Sequence, residues 1–155
     1  MRLRLIAVGT RVPDWVDAGF TDYARRLPRD NRLELVPVAA ADRRNGRGAD
    51  HWREEEAGRL LGAVGGNSLV VALDVAGRRL STEALADCLR DWRMQGRDPA
   101  LLIGGADGLA PRCLAAAEMC WSLSPLTLPH ALVRVVVAEQ VYRAWTLVAG
   151  HPYHR

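Results

Sequence analysis

The chain contains no lysine. All 21 of its basic residues are arginine, set against 18 acidic ones for a formal net charge of +3. Arginine's planar fork suits phosphate and nucleic acid, but an excess this small permits such a partner without requiring one, and genomic base composition can also produce an arginine-only repertoire. Cysteine is scarce too. Cys88, Cys113 and Cys120 are odd in number and hold no C-x-x-C pair, which leaves a zinc site without a basis and points to reduced thiols in or near the core. No apolar run approaches the roughly 20 residues of a membrane span. Met1-Arg2-Leu3-Arg4 leads straight into a strand pattern with no cleavage region behind it, so a cytoplasmic location is expected. There is no G-x-G-x-x-G after the first strand and no G-x-x-x-x-G-K-[ST], so neither a dinucleotide fingerprint nor a P-loop is available.

What is present is an ordinary globular composition, 155 residues of which 49% are hydrophobic, enough for one domain over residues 1–155 with a core needing no staples. The pattern alternates strand and helix. Residues 2–8 form a strand candidate, and Pro13-Asp14 opens a helix whose stripe is Val16, Phe20, Tyr23, Ala24 and Leu27. Residues 33–38 alternate as a second strand, with Pro37 suggesting an edge or a strand end. Residues 39–49 form a loop carrying Arg43, Arg44 and Arg47, either a solvated connection or a phosphate-contacting arm. A helix is expected over 51–64 with Glu54-Glu55-Glu56 in its first turn. An apolar central strand follows over 68–74, then a helix capped by Ser81 that runs to about Met94 and stops at Gly96. A buried strand over 100–103, a helix opened by Pro111 over 111–119, and an extended piece over 122–124 complete the order. Residues 131–149 are apolar on most sides, which predicts a helix covered by its own sheet and by a second copy of the chain. Together these elements define an α/β fold with a mainly parallel sheet flanked by helices.

Chemistry concentrates in the last third. Leu101-Leu102-Ile103-Gly104-Gly105 is a buried run ending in a glycine turn, which fits a backbone approach to a ligand and equally a tight turn without one. Residues 121–130 alternate apolar and hydroxyl side chains and are held open by Pro125 and Pro129, so they cannot close into one helix. Glu139 and Arg143 lie one helical turn apart, as an ordinary surface pair or as a held cation. His130, next to Pro129, reads as a structural loop histidine. The ending His151-Pro152-Tyr153-His154-Arg155 fits a frayed terminus, an incidental imidazole pair, or a group able to stack on a splayed base and grip phosphate.

These segments, with Leu5-Ile6-Ala7-Val8-Gly9-Thr10 and Pro13-Asp14-Trp15-Val16, resemble the SPOUT-class RNA methyltransferases, in particular the RlmH family of pseudouridine N3-methyltransferases of large-subunit ribosomal RNA. The resemblance spans nearly the whole chain. It implies a SPOUT-type fold with a C-terminal trefoil knot, which nothing in the periodicity shows. It implies S-adenosyl-L-methionine as cofactor, held by Leu73, Gly104, Leu123, Ser124, Pro125, Leu126, Thr127 and Leu128, with Pro125 able to offer only its carbonyl or ring. It also implies a homodimer acting on 23S ribosomal RNA, on the assembled ribosome, without metal or membrane. Arg143 would stabilise charge on the base, with Glu139 holding it. Tyr153, His154 and Arg155 would reach the partner's site as substrate-binding or catalytic residues. The competing class is a non-catalytic RNA- or ribosome-binding module of the same fold, distinguished by failure to bind the methyl donor.

Overall fold

The computed structural model describes residues 1–154. Five strands form one sheet in the order β2-β1-β4-β3-β5, every pairing parallel: β1 Arg2–Val8, β2 Arg32–Val38, β3 Ser68–Arg79, β4 Asp98–Ile103 and β5 Met119–Ser122. Helices α1 Asp14–Ala24, α2 Ala49–Gly62, α3 Thr82–Gln95, α4 Pro111–Ala116 and α5 His130–Ala149 connect and cover the strands.

The period-2 alternation of the strands divides the core between the two faces. Leu3, Leu5, Val71, Leu101 and Ile103 point to the side of α1, α3 and α5, against Phe20, Leu85, Leu89, Trp92, Val137 and Val141. Ile6, Val8, Val70, Ala72 and Leu102 point to the opposite side, against Ala57 and Leu60 of α2 and Cys113 of α4. Central strands covered twice must be apolar throughout, which is why β4 shows no alternation in sequence. β2, carrying Pro37, is an edge strand as its proline suggested.

Three expectations need correction. The helix predicted over 111–119 ends at Ala116, and Met119 belongs to β5, where Val71 pairs with it; sheet pairing outweighs the weak helix preference of a short apolar segment. β3 does not stop at Asp74. It shifts register between Leu73 and Arg78 and resumes beside Trp121 and Ser122, a bulge that local propensity does not encode. Helix α2 starts at Ala49, so its acidic first-turn residue is Asp50, while Glu56 lies a turn further in and is buried. Within the 39–49 loop, Arg43–Asn45 form a turn of 3-10 helix capped by Asp42. Ser81 caps α3 as expected, its Oγ accepting the Ala84 N–H at 3.1 Å, and Gly96 ends the helix in the left-handed region.

Candidate active site

A cavity of about 510 Å³ opens at the carboxyl ends of β3, β4 and β5, the edge where parallel sheets collect ligands. Its walls are apolar, from Leu73, Ile103, Leu109, Trp121 and Val133. The 123–128 loop forms one side, contributing Leu123, Ser124, Leu126, Thr127 and Leu128, while exposed Pro125 is not part of the wall. Gly104, Gly105 and Gly108 form the other side.

Local hydrogen bonds fix both sides. Ser122 Oγ donates to the Ser124 carbonyl at 3.1 Å, and Ser124 Oγ accepts the Leu126 N–H at 3.0 Å, so the loop is held by its own hydroxyls. Opposite, the glycine turn doubles back so that Gly105 and Gly108 pair, and a Cβ on Gly104 would lie 2.5 Å from the Gly108 carbonyl carbon. Only glycine permits that approach. Arg43 clamps this turn from outside: one Nη reaches Asp107 at 2.6 Å, the other approaches the buried Glu56 at 3.4 Å, and its plane lies over Trp52. Arg43 therefore faces inward, and Arg44 pairs with Asp42, leaving only Arg47 of the three loop arginines outside any ion pair among the described residues.

Two features suit a cationic, largely apolar ligand. In a chain with 21 arginines, none lines the cavity; its one charged wall residue is Asp74. Val75 and Leu126, two of the four large apolar residues left exposed, sit on the rim at 57% and 69% exposure. Exposed apolar groups gathered at a cavity mouth mark a surface waiting for a partner. The residues present thus fit an adenosyl sulfonium donor: apolar cover, backbone polar groups, a glycine cradle and no competing cation.

A second cluster lies farther along α5. Arg143 binds Glu139 through Nε at 2.8 Å and one Nη at 2.6 Å, Gln140 adds a bond to the other Glu139 oxygen at 2.6 Å, and the Tyr153 hydroxyl approaches Glu139 at 3.4 Å. The Arg143 guanidinium stands 5.1 Å above the Tyr153 ring, which packs edge-on against Tyr142 at 4.7 Å. Burial, reinforced by Tyr23 and the Glu139 carboxylate, pushes the Tyr153 phenol up to about 12. The last described residues, Pro152–His154, form a turn of 3-10 helix against α5. Arg155 and the His154 side chain lie outside the described residues.

One chain does not bring these two groups together. Val133 lines the cavity, and Arg143 lies ten residues along the same helix, about 15 Å away at 1.5 Å per residue. His130 needs reassignment: it is the first residue of α5 and part of the cavity wall. Its proximity to proline suggested a loop role, and only the long-range placement of α5 reveals the other. Glu56, buried beneath the glycine turn, was hidden in sequence among three successive glutamates. Among the described residues no group of three His, Cys, Asp or Glu side chains converges as a metal site, and no helix is long and apolar enough to cross a membrane.

An all-parallel α/β sheet with a cavity at its carboxyl edge, and neither a dinucleotide turn nor a P-loop, places the chain among the α/β folds that bind ligands at strand ends by other means. A family model described as "Predicted SPOUT methyltransferase" matches residues 1–154, and the chain belongs to the SPOUT methyltransferase family. Solved structures share the fold at low identity. A probable methylase family protein from Haemophilus influenzae Rd KW20 aligns over 99% of this chain and 70% of its own, with TM-score 0.56 and 14% identity. TrmJ from Z. mobilis ZM4 aligns over 93% and 70%, with TM-score 0.51 and 19% identity. The putative methyltransferase Lpg2936 from Legionella pneumophila, solved with bound cofactor SAM, aligns over 94% and 66%, with TM-score 0.52 and 15% identity.

Proposed function

We propose that this protein uses S-adenosyl-L-methionine to methylate N3 of a pseudouridine in large-subunit ribosomal RNA, acting as a homodimer on the assembled ribosome. The observation that carries the donor assignment is the arginine-free cavity between the glycine turn at Gly104 and the 123–128 loop. The methylation itself follows from the family, and the Legionella relative is described with the same cofactor bound. The narrower target comes from the RlmH resemblance of the tail and the 121–130 segment, and the trefoil threading of the C-terminal segment belongs to that same reading.

When bound, the donor supplies an electrophilic methyl group on a sulfonium. The chain's own residues position and exclude. Leu73, Ile103, Leu109 and Trp121 keep water from the cavity, and the backbone of Leu123, Ser124, Leu126, Thr127 and Leu128 offers N–H and carbonyl groups to an adenine edge, apart from the Leu126 N–H already given to Ser124 Oγ, with the neighbouring Pro125 limited to its carbonyl. Arg143, locked by Glu139, presents a fixed cation to a base acquiring negative charge, and stored orientation is what makes such a charge effective. Because that cation lies far from the cavity of its own chain, a second copy is required to complete the site. The half-buried apolar residues Leu132 and Val136 of α5, which belong to neither core cluster of this chain, offer a surface for that copy. Tyr153, His154 and Arg155 of one subunit then close the other's cavity over the substrate.

The decisive measurement is mass spectrometry of ribosomal RNA from cells lacking the protein, before and after adding it back with donor. The expected result is one new methylated pseudouridine in the large subunit. Calorimetry showing no affinity for S-adenosyl-L-methionine would instead favour a non-catalytic ribosome-binding module.

A further inference from the structure

We propose that His130 is the proton acceptor of this cavity, and therefore that the atom methylated is a weak acid, an imide N–H or a hydroxyl, and not a bare lone pair. The inference rests on the methyltransferase reading above and deepens it. Two titratable side chains line the cavity, Asp74 and His130. Asp74 is partly engaged, since its Oδ1 accepts the Ala76 N–H at 2.8 Å. His130 is not: neither ring nitrogen has a hydrogen-bond partner among the described residues, and the residue is half-buried in the cavity wall, with Nε2 3.8 Å from where a Gly9 Cβ would be. Its position is rigid. Pro129 fixes the entry to α5, and one turn on, Arg134 ties the helix to the end of β1 by donating to the carbonyls of Val8 at 2.9 Å and Gly9 at 2.7 Å.

A base must also be unprotonated when substrate arrives. Burial, the Arg134 guanidinium and the more distant Arg43 hold the imidazole below the ordinary histidine range, against an opposing pull from Glu56. Of the other charges nearby, Asp107 is engaged by Arg43, and Asp74 stands elsewhere on the cavity wall. Glu56 has a second role. Its Oε1 is held by Arg43 and the Ala41 N–H, while its Oε2 is buried without a partner, 3.0 Å from where a Gly105 Cβ would be, and its negative charge favours the imidazolium as it forms. In the step itself, the acceptor's N–H or O–H proton passes to a ring nitrogen. The electron pair left on that atom forms the new bond to the sulfonium methyl, the C–S pair stays on sulfur as a neutral thioether, and the imidazolium later releases its proton to water.

The test uses the full-length protein on ribosomes lacking the modification. Donor affinity is read by calorimetry and single-turnover methylation is followed across pH for wild type, His130→Asn and His130→Ala. Expected for wild type is a rate that falls as pH drops through one ionisation below the usual histidine range. Expected for His130→Asn is donor affinity within about threefold of wild type and a rate lowered at least ~100-fold, in line with general base removal, with the acidic limb gone. Added imidazole should restore part of the His130→Ala rate. A variant with the wild-type rate and the same acidic limb overturns the proposal. So does a loss of rate that keeps the limb and ignores imidazole, since that marks a structural role. A wild-type protein that neither binds donor nor methylates refutes the parent reading, and this inference with it; the active wild type is what separates the two failures.

Discussion

Gly104 has no room for a methyl group. Its Cβ would lie 2.5 Å from the Gly108 carbonyl carbon and 2.8 Å from the Leu109 nitrogen, both backbone atoms that cannot rotate away. Gly104→Ala is therefore expected to destabilise the fold by about 1–3 kcal/mol, as overpacking does, and to weaken donor binding at least tenfold because the displaced turn is a cavity wall; thermal unfolding and calorimetry check both. Tyr153 gives a second prediction at this scale. Its phenol is raised to about 12 when folded, against about 10 when unfolded. The sign follows directly: the native state keeps the proton longer, so this contribution is full below pH 10 and is lost as pH rises from there through about 12. Absorbance titration should show one tyrosine ionising late, and Tyr153→Phe should remove that late step. Neither property was legible in the residues alone. A glycine pair fits many turns, and a terminal tyrosine shows its burial only once the tail lies on α5.

At the scale of elements, propensity and capping worked where the structure is local. Ser81 and Gly96 bracket α3 because one side-chain oxygen satisfies an orphan N–H and one residue tolerates the left-handed region. Ser81→Ala should cost about 1 kcal/mol in a denaturant titration, with donor affinity unchanged since α3 contributes nothing to the cavity wall. Where structure is non-local, local reasoning failed. The bulge in β3 and the end of α4 at Ala116 both answer to strand pairing with β5. The arginine loop shows the same limit: its composition fits a solvated connection or a phosphate-contacting arm, yet Glu56 and Asp107, 13 and 64 positions away, turn Arg43 inward.

At the scale of the whole molecule, the cavity and the Glu139–Arg143–Tyr153 cluster occupy opposite stretches of one helix, and the proposed homodimer is the arrangement that would bring them together. Sedimentation should show a dimer. Deleting residues 153–155 should leave donor affinity within about twofold and abolish methylation of ribosomes. Retained methylation by the truncated protein would remove the tail from the site. The deletion also separates binding from chemistry, because the donor cavity contains no residue beyond Val133.

The sequence alone determined the class of fold: apolar runs without alternation had to be central strands, and stripes at 3.6-residue spacing had to be helices laid over them. It also marked the glycine turn at Gly104 and the proline-held 121–130 segment as strand ends, while the family resemblance, not the pattern, singled them out as a site. Tertiary structure decided the rest. It chose which charges face inward, brought His130 to the cavity wall and Glu56 beneath its glycine turn, and carried Arg143 away from it. Those outcomes depend on contacts between residues far apart in the chain, and no local pattern records a distance that only packing sets.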